Sequence, residues 1–357
     1  MRYDPFARGG FPVGVRTVEV TDPNRSRHLP VEVWYPADAS LAGKDTCEES
    51  MDHYDLLPGF PPLKQACVRD AKPSTNSGRC PIVMFSHGFG GHRRQSTFFC
   101  THLASHGYTV AAVDHTGNTV IDMAQMTLQV MMGEPMPDPI PMVADLIVQR
   151  PVDISFVLDR LLAGDLGSDC ASLDADRIGM AGHSFGGWTT LRVAHLDHRI
   201  RAALPMAPAG GKSPLPAEIL REALDFSWGR DVPTLFLVAD KDTLLPLEGM
   251  HELLAETRGT KRMIVLENAD HMHFCDEVES VHEMFRTMPP PGPFAEIAKN
   301  LPAASELAPG IHAYDFSRSL GLAHMDASLR GNEEAASFLS SDLPSVFAAR
   351  GIRVSVA

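Results

Sequence analysis

The sequence predicts an α/β protein: a mostly parallel β-sheet with helices on both faces. Three observations carry that reading. Short strand-like runs alternate with helix-like runs along most of the chain, the pattern of parallel strands joined by crossover helices. The run at 82–86 is apolar up to its closing serine, as expected of a buried strand. The chain has 357 residues, 44% hydrophobic and 21% charged, enough to bury a large core. Folds of this class hold that length in one decorated domain, so a single domain over 1–357 is expected.

The elements follow in order. Residues 15–20 and 31–34 read as an opening strand pair. Residues 37–80 carry Pro, Gly, Ser, charges and three cysteines, and read as a long surface excursion. After the strand at 82–86, residues 98–106 form a helix that stops at Gly107, a residue that tolerates the positive φ of a helix end. Residues 109–114 are the next strand. Residues 117–150 hold Met123, Met126, Met131, Met132, Met136 and Met142 and a Pro-rich piece, EPMPDPIP. Thioethers adapt to irregular apolar shapes, so this segment reads either as a helix packed on the core or as a mobile cap forming an apolar pocket wall.

From Asp153 a helix follows, with Ile154, Val157, Leu158, Leu161 and Leu162 on one stripe. Residues 178–182 are a strand, and a helix runs from Ser184 to about Leu196. Strands at 202–204, 234–239 and 262–266 follow, with a helix over 246–256. Beyond His271 comes a second excursion, 276–315, marked by MPPPGP at 288–293. Helices are expected over 320–350. There is no internal repeat.

Composition excludes several classes. The formal net charge is -14, with no basic stretch, so phosphates of a nucleic acid have nothing to neutralise them. No apolar run is long enough to span a bilayer. The N-terminus, MRYDPFARGG, lacks an apolar signal core, so a cytoplasmic protein is expected. Cys47, Cys67, Cys80, Cys100, Cys170 and Cys275 show neither CxxC pairing nor metal-ligand spacing, and read as free thiols. The other reading is a disulfide among the first three, which would imply a removed export signal. No phosphate-binding or dinucleotide glycine pattern is present, so no cofactor is expected. His271, His273, Asp276 and His282 lie close in sequence, but chance at the surface together with the chemistry below explains them better than a metal site.

The chemistry concentrates in Gly182-His183-Ser184-Phe185-Gly186-Gly187, between a strand and a helix. A sharp strand-to-helix turn presents its central serine, and glycines two residues either side avoid collisions with neighbouring backbone. The helix N-terminus there favours developing negative charge. A serine hydroxyl needs a base to become a nucleophile. His271, ending the turn EnaDH after the last strand, is the candidate, with His273 as its rival and otherwise a supporting or surface residue. A carboxylate must orient that base. Asp240 and Asp242 compete after the strand at 234–239; the loop position favours Asp242, with Asp240 bracing. Two backbone N–H groups should hold the developing oxyanion: those of Phe185 and of Phe89, in the turn Ser86-His87-Gly88-Phe89-Gly90-Gly91.

Residues 81–91, 103–115 and 182–187, together with Trp34-Tyr35-Pro36-Ala37, resemble the platelet-activating-factor acetylhydrolase family over roughly residues 30–270. The resemblance implies an α/β-hydrolase fold, a mostly parallel eight-stranded sheet with cap-like insertions. It also implies ester hydrolysis by a Ser-Asp-His triad without a metal or cofactor, acting on a small-molecule ester. One departure matters. The phospholipid-cleaving members carry their acid after the strand that follows the elbow helix, where this chain reads Ala202-Ala203-Leu204-Pro205-Met206-Ala207-Pro208 without a carboxylate. An acid at Asp242 is similar to dienelactone hydrolases, cutinases and polyester hydrolases. The expected function is therefore a serine carboxylic ester hydrolase working through an acyl-enzyme, on a hydrophobic or small-acyl ester. An amidase or a lactone or dienelactone hydrolase would use the same groups, and a catalytically silent binding protein would have lost one of them. The excursions at 37–80, 117–150 and 276–315 are expected to shape the pocket.

Overall fold

Residues 3–165, 172–215, 218–290 and 292–357 are described by the structure, a computed structural model. The chain divides into two compact units, Ala7–Gly179 and Met180–Ala357, the latter with the first residues up to Phe6.

In the unit Ala7–Gly179, β1 (Val13–Asp22) and β2 (Arg27–Pro36) form an antiparallel hairpin in the register Val13↔Pro36 to Asp22↔Arg27. Asp22 closes its turn by accepting the Asn24 N–H and the Arg25 guanidinium. β3 (Asp52–Tyr54) and β4 (Leu63–Gln65) make a separate ribbon in the first excursion, and β5 (Val68–Arg69) returns parallel to β1. β6 (Cys80–Ser86), helix α1 (Thr97–Ser105) and β7 (Thr109–Val113) form a β-α-β unit whose two strands run parallel, Ile82↔Thr109 to Ser86↔Val113. Every residue of β6 and β7 is buried. That is why their sequences are continuously apolar over Ile82–Phe85 and Val110–Val113 rather than alternating.

Two helices fill 117–150. α2 (Val120–Met131) starts with a reciprocal cap between Thr119 and Asp122 and buries none of its residues. Met131 and Met132 are 79% and 78% exposed, so this segment is not packed into the core as a helix normally would be. α3 (Pro139–Leu162) starts fourteen residues before Asp153 and continues through Pro151. The missing Pro151 N–H removes one helical bond, but Leu146, Arg150, Asp153 and Ile154 are all buried on either side of it. The stripe expected after Asp153 is present, and its burial extends back past the proline. β8 (Leu173–His183) then carries the chain out of this unit.

In the unit Met180–Ala357, α4 (Phe185–Leu196), β9 (Ile200–Met206), α5 (Glu218–Glu222), β10 (Thr234–Ala239), α6 (Leu247–Glu256) and β11 (Lys261–Leu266) follow in turn. β9, β10 and β11 are parallel neighbours, with Leu237 opposite Met206 and Val238 opposite Val265. The second excursion holds α7 (Val278–Thr287) and α8 (Pro293–Ala298). α9 (Gly310–Arg330), α10 (Glu333–Ser340) and α11 (Leu343–Ala348) come next, and β12 (Val354–Val356) adds antiparallel to β11. α9 begins ten residues earlier than expected, because Ala313, Phe316 and Ser317 join its buried face. Apart from the β3–β4 ribbon, the described residues hold ten sheet strands against the eight expected. The additions are the short β5 and β12.

Among the described residues, no helix is long and apolar enough to cross a membrane. Cys47, Cys67, Cys80, Cys100 and Cys275 are free thiols. Cys170 lies outside the described residues.

Candidate active site

The elbow is built from backbone. β8 ends at His183 and α4 begins at Phe185, which leaves Ser184 between them at φ 59°, ψ −118°. That conformation costs a non-glycine residue about 1–3 kcal/mol and persists only where the surroundings enforce it. Here the Ser184 N–H donates to the Met206 carbonyl at 2.9 Å, and the Ser184 carbonyl accepts the N–H groups of Trp188 and Ala209 at 3.0 Å each. Strand β9 therefore clamps the serine against the start of α4. The packing is closest at Gly187, where an added Cβ would lie 2.8 Å from Pro208 Cα and 3.0 Å from the Met206 carbonyl oxygen. Phe185 is buried in edge-on contact with Trp188, whose indole N–H is held by the Leu220 carbonyl.

The base sits after β11. Its turn is made tight by Asn268 at φ 57°, and a 3₁₀ turn, His271–Phe274, starts with Asp270 accepting the Met272 N–H. His271 Nδ1 meets Asp242 Oδ2 at 2.6 Å, with both residues buried. The other oxygen of Asp242 accepts the N–H groups of Leu244 and Leu245 at 2.9 and 2.8 Å. The carboxylate is thus fixed in place before it meets the ring. Burial disfavours the His271 imidazolium, but the Asp242 charge and hydrogen bond, aided by Asp270, outweigh it and raise its pKa above the usual 6.5. With Nδ1 engaged by Asp242, Nε2 is the atom available to a neighbouring hydroxyl. The adjacent His183 ring lies 4.5 Å from that of His271, and burial together with His271 keeps it neutral.

The rival residues have other positions. Asp240 accepts the Ala269 N–H at 3.2 Å, while the Lys241 N–H donates to the Ala269 carbonyl, so this segment braces the turn that carries His271. His273 does not face Asp242; its Nδ1 lies 2.7 Å from Asp270 Oδ1 and its Nε2 2.9 Å from the Ala308 carbonyl. His282, on α7, places Nδ1 2.5 Å from Asp270 Oδ2 and Nε2 2.9 Å from the Pro302 carbonyl. Both histidines are almost fully buried, which overturns the surface reading of them. They join the second excursion to the turn bearing the base. Sequence reasoning missed Asp270 and His282. The available signal was His282 sharing a helical stripe with Val278, Val281 and Phe285.

His282 has acceptors at both ring nitrogens, which only the imidazolium can satisfy. Its pKa is raised chiefly by the hydrogen bond to Asp270, against the opposing effect of burial. Burial opposes the Asp270 carboxylate, yet the bonds from the two histidines hold its pKa well below the usual carboxylate range.

Ser184, Phe185, Asp242 and His271 belong to one unit. Phe89 belongs to the other, in the turn after β6, where Gly90 has φ +65°.

Comparison with known proteins follows the same lines. The chain belongs to the α/β-hydrolase superfamily and stands among relatives of its serine esterases. Residues 20–140 match the family described as platelet-activating factor acetylhydrolase, isoform II, and residues 144–286 the one described as PET hydrolase-like. A ferulic acid esterase from Streptomyces cinnamoneus superposes with a TM-score of 0.61 at 28% identity, covering 90% of this chain and 91% of that one. Cutinase est1 of Thermobifida alba is 29% identical over 53% of this chain and 52% of its own length. The bis(hydroxyethyl) terephthalate hydrolase of Streptomyces coelicolor is 28% identical over 49% and 44%. The chain spans about half the length, or less, of the curated relatives it matches.

Proposed function

We propose that the protein is a serine carboxylic ester hydrolase. The observation that carries this reading is the buried 2.6 Å contact of His271 with Asp242, together with a serine held at positive φ between a strand and a helix. Ser184 Oγ attacks the ester carbonyl carbon while His271 Nε2 takes its proton. Asp242 holds the ring in the tautomer with a proton on Nδ1 and stabilises the imidazolium. The oxyanion of the tetrahedral intermediate is received by the N–H groups of Phe185 and Phe89. Collapse breaks the bond to the alcohol oxygen, which leaves with the proton from His271. Water, deprotonated by the same nitrogen, then attacks the acyl-enzyme, releasing the acid and restoring the Ser184 hydroxyl.

The substrate is an ester with a hydrophobic or small acyl part. Two things support this: the exposed Met131 and Met132 at the end of α2 and the ester-cleaving relatives named above. The test is labelling with a fluorophosphonate, followed by turnover of an ester panel that includes amides and lactones. Wild type should form one adduct, on Ser184, and Ser184→Ala none. An unlabelled wild type, or an equally labelled Ser184→Ala, refutes the reading. Preference for amides or lactones over every open-chain ester refutes the substrate assignment.

A further inference from the structure

Arg150 is fully buried on α3, an unusual place for a guanidinium. Its Nη1 donates to the His87 carbonyl at 2.7 Å, and its Nη2 to the Gly88 carbonyl at 3.0 Å and to Asn118 Oδ1 at 2.7 Å. Two successive peptide carbonyls of the turn after β6 are therefore gripped by one planar fork. No peptide bond among the described residues is cis, and in a trans peptide the N–H points opposite to the carbonyl it is bonded across. With its carbonyl turned to Arg150, the His87–Gly88 peptide aims the Gly88 N–H away, where Gln95 Oε1 accepts it at 2.8 Å. The next peptide is held the same way round, so the Phe89 N–H points away from Arg150.

Other contacts tighten that second peptide. The His87 ring accepts the His115 N–H at Nε2, which leaves its proton on Nδ1, 2.7 Å from the Gly88 carbonyl. The Gly91 N–H reaches the same oxygen at 3.2 Å. One turn further along α3, Asp153 meets His115 Nδ1 at 3.0 Å, and His115 Nε2 meets Ser86 Oγ at 2.9 Å. The polar side chains of 150 and 153 thus hold the end of β6 and the turn that follows it.

We infer that Arg150 is the positioning residue of the oxyanion site: its fork sets the Gly88–Phe89 peptide so that the Phe89 N–H can receive the developing negative oxygen. This rests on the esterase reading and on Phe89 as a donor. It assigns Arg150 no contact with substrate. A lysine could bond one carbonyl but lacks the planar fork that grips two.

The test compares Arg150→Met, Arg150→Lys, Arg150→Ala and Phe89→Pro, the last removing the N–H itself. Readouts are kcat and KM on an activated ester, and inhibition by a trifluoromethyl ketone, whose serine adduct carries the same oxyanion. Loss of one oxyanion donor costs roughly 100- to 1,000-fold in kcat. Arg150→Met and Phe89→Pro should both lose kcat on that scale, with KM little changed and ketone affinity falling in parallel. Arg150→Lys should fall between wild type and Arg150→Met. Added guanidinium, well below denaturing concentration, should restore part of the activity of Arg150→Ala. If Phe89→Pro loses kcat while folded Arg150→Met keeps it, the role of Arg150 is overturned and the oxyanion assignment stands. If Phe89→Pro keeps its kcat, the donor assignment falls and the inference falls with it. If Arg150→Met does not fold, the Arg150→Lys data decide: unchanged kcat and ketone affinity overturn the inference.

Discussion

His282→Leu tests the bond network behind the base most directly. The substitution removes a buried imidazolium and leaves the Asp270 carboxylate with His273 and the Met272 N–H alone. Removing one partner of a buried ion pair costs about 3–5 kcal/mol, mainly because the remaining charge is stranded away from water. For a unit the size of Met180–Ala357, each kcal/mol moves the melting temperature by about 2–4 °C. The transition of that unit should therefore fall by roughly 6–20 °C, a range the two figures set together.

The pH dependence has a definite sign. Asp270 has a lowered pKa, so its contribution is complete above the ordinary value of 3.8 and is lost as pH falls below it toward the folded value. His282 has a raised pKa, so its contribution is complete below 6.5 and is lost as pH rises through the folded value. The gap between wild type and His282→Leu should be widest between pH 3.8 and 6.5 and should narrow in alkali. Scanning calorimetry across that range and into alkali measures it. Activity supplies a second readout. Asp270 raises the pKa of His271, and without His282 that influence is less compensated, so the acid limb of kcat/KM should move to higher pH. A gap independent of pH, or an acid limb moving down, would refute the reasoning.

Asp242→Asn should lower kcat by about four orders of magnitude, as loss of the orienting carboxylate does in serine hydrolases, and should shift the acid limb down because burial then acts on His271 unopposed by Asp242. Asp240→Asn weakens one 3.2 Å bond to the Ala269 N–H and should cost less than about tenfold in kcat/KM; the reverse ranking would reassign the acid. Gly187→Ala drives a methyl onto Pro208 and Met206 backbone, so it should destabilise by about 1–3 kcal/mol and slow fluorophosphonate labelling of the neighbouring serine, measured by melting and by adduct mass. Among the five described cysteines, thiol mapping of the native protein should modify Cys47 first and Cys67, Cys80, Cys100 and Cys275 only on unfolding, since burial raises the thiol pKa of Cys67 and Cys275. Rapid native labelling of Cys67 or Cys275 would contradict their burial.

What could be read in advance is what the chain states locally. A strand, two glycines and a helix around Ser184 describe one turn, and every atom that strains it lies within a few residues or on the next strand. The order of strand ends likewise placed His271 and Asp242 in loops that parallel pairing brings side by side. The misread parts have partners far away in sequence. The helix expected from Asp153 in fact runs through Pro151, whose missing N–H is a local cost, and the contacts at that point of α3 come from Arg150 and its hold on residues 87, 88 and 118. His273 and His282 read as surface residues because exposure is the default for a histidine; Asp270 is near both in sequence, but the acceptors of their second ring nitrogens, the Ala308 and Pro302 carbonyls, lie 35 and 20 residues away. The two misreadings share a cause. A buried ionisable side chain is stable only when every polar atom finds a counterpart, and such counterparts come mostly from distant segments. Groups that perform chemistry sit at chain landmarks that pattern can locate, while the buried charges that hold them in place are specified by closure of the fold.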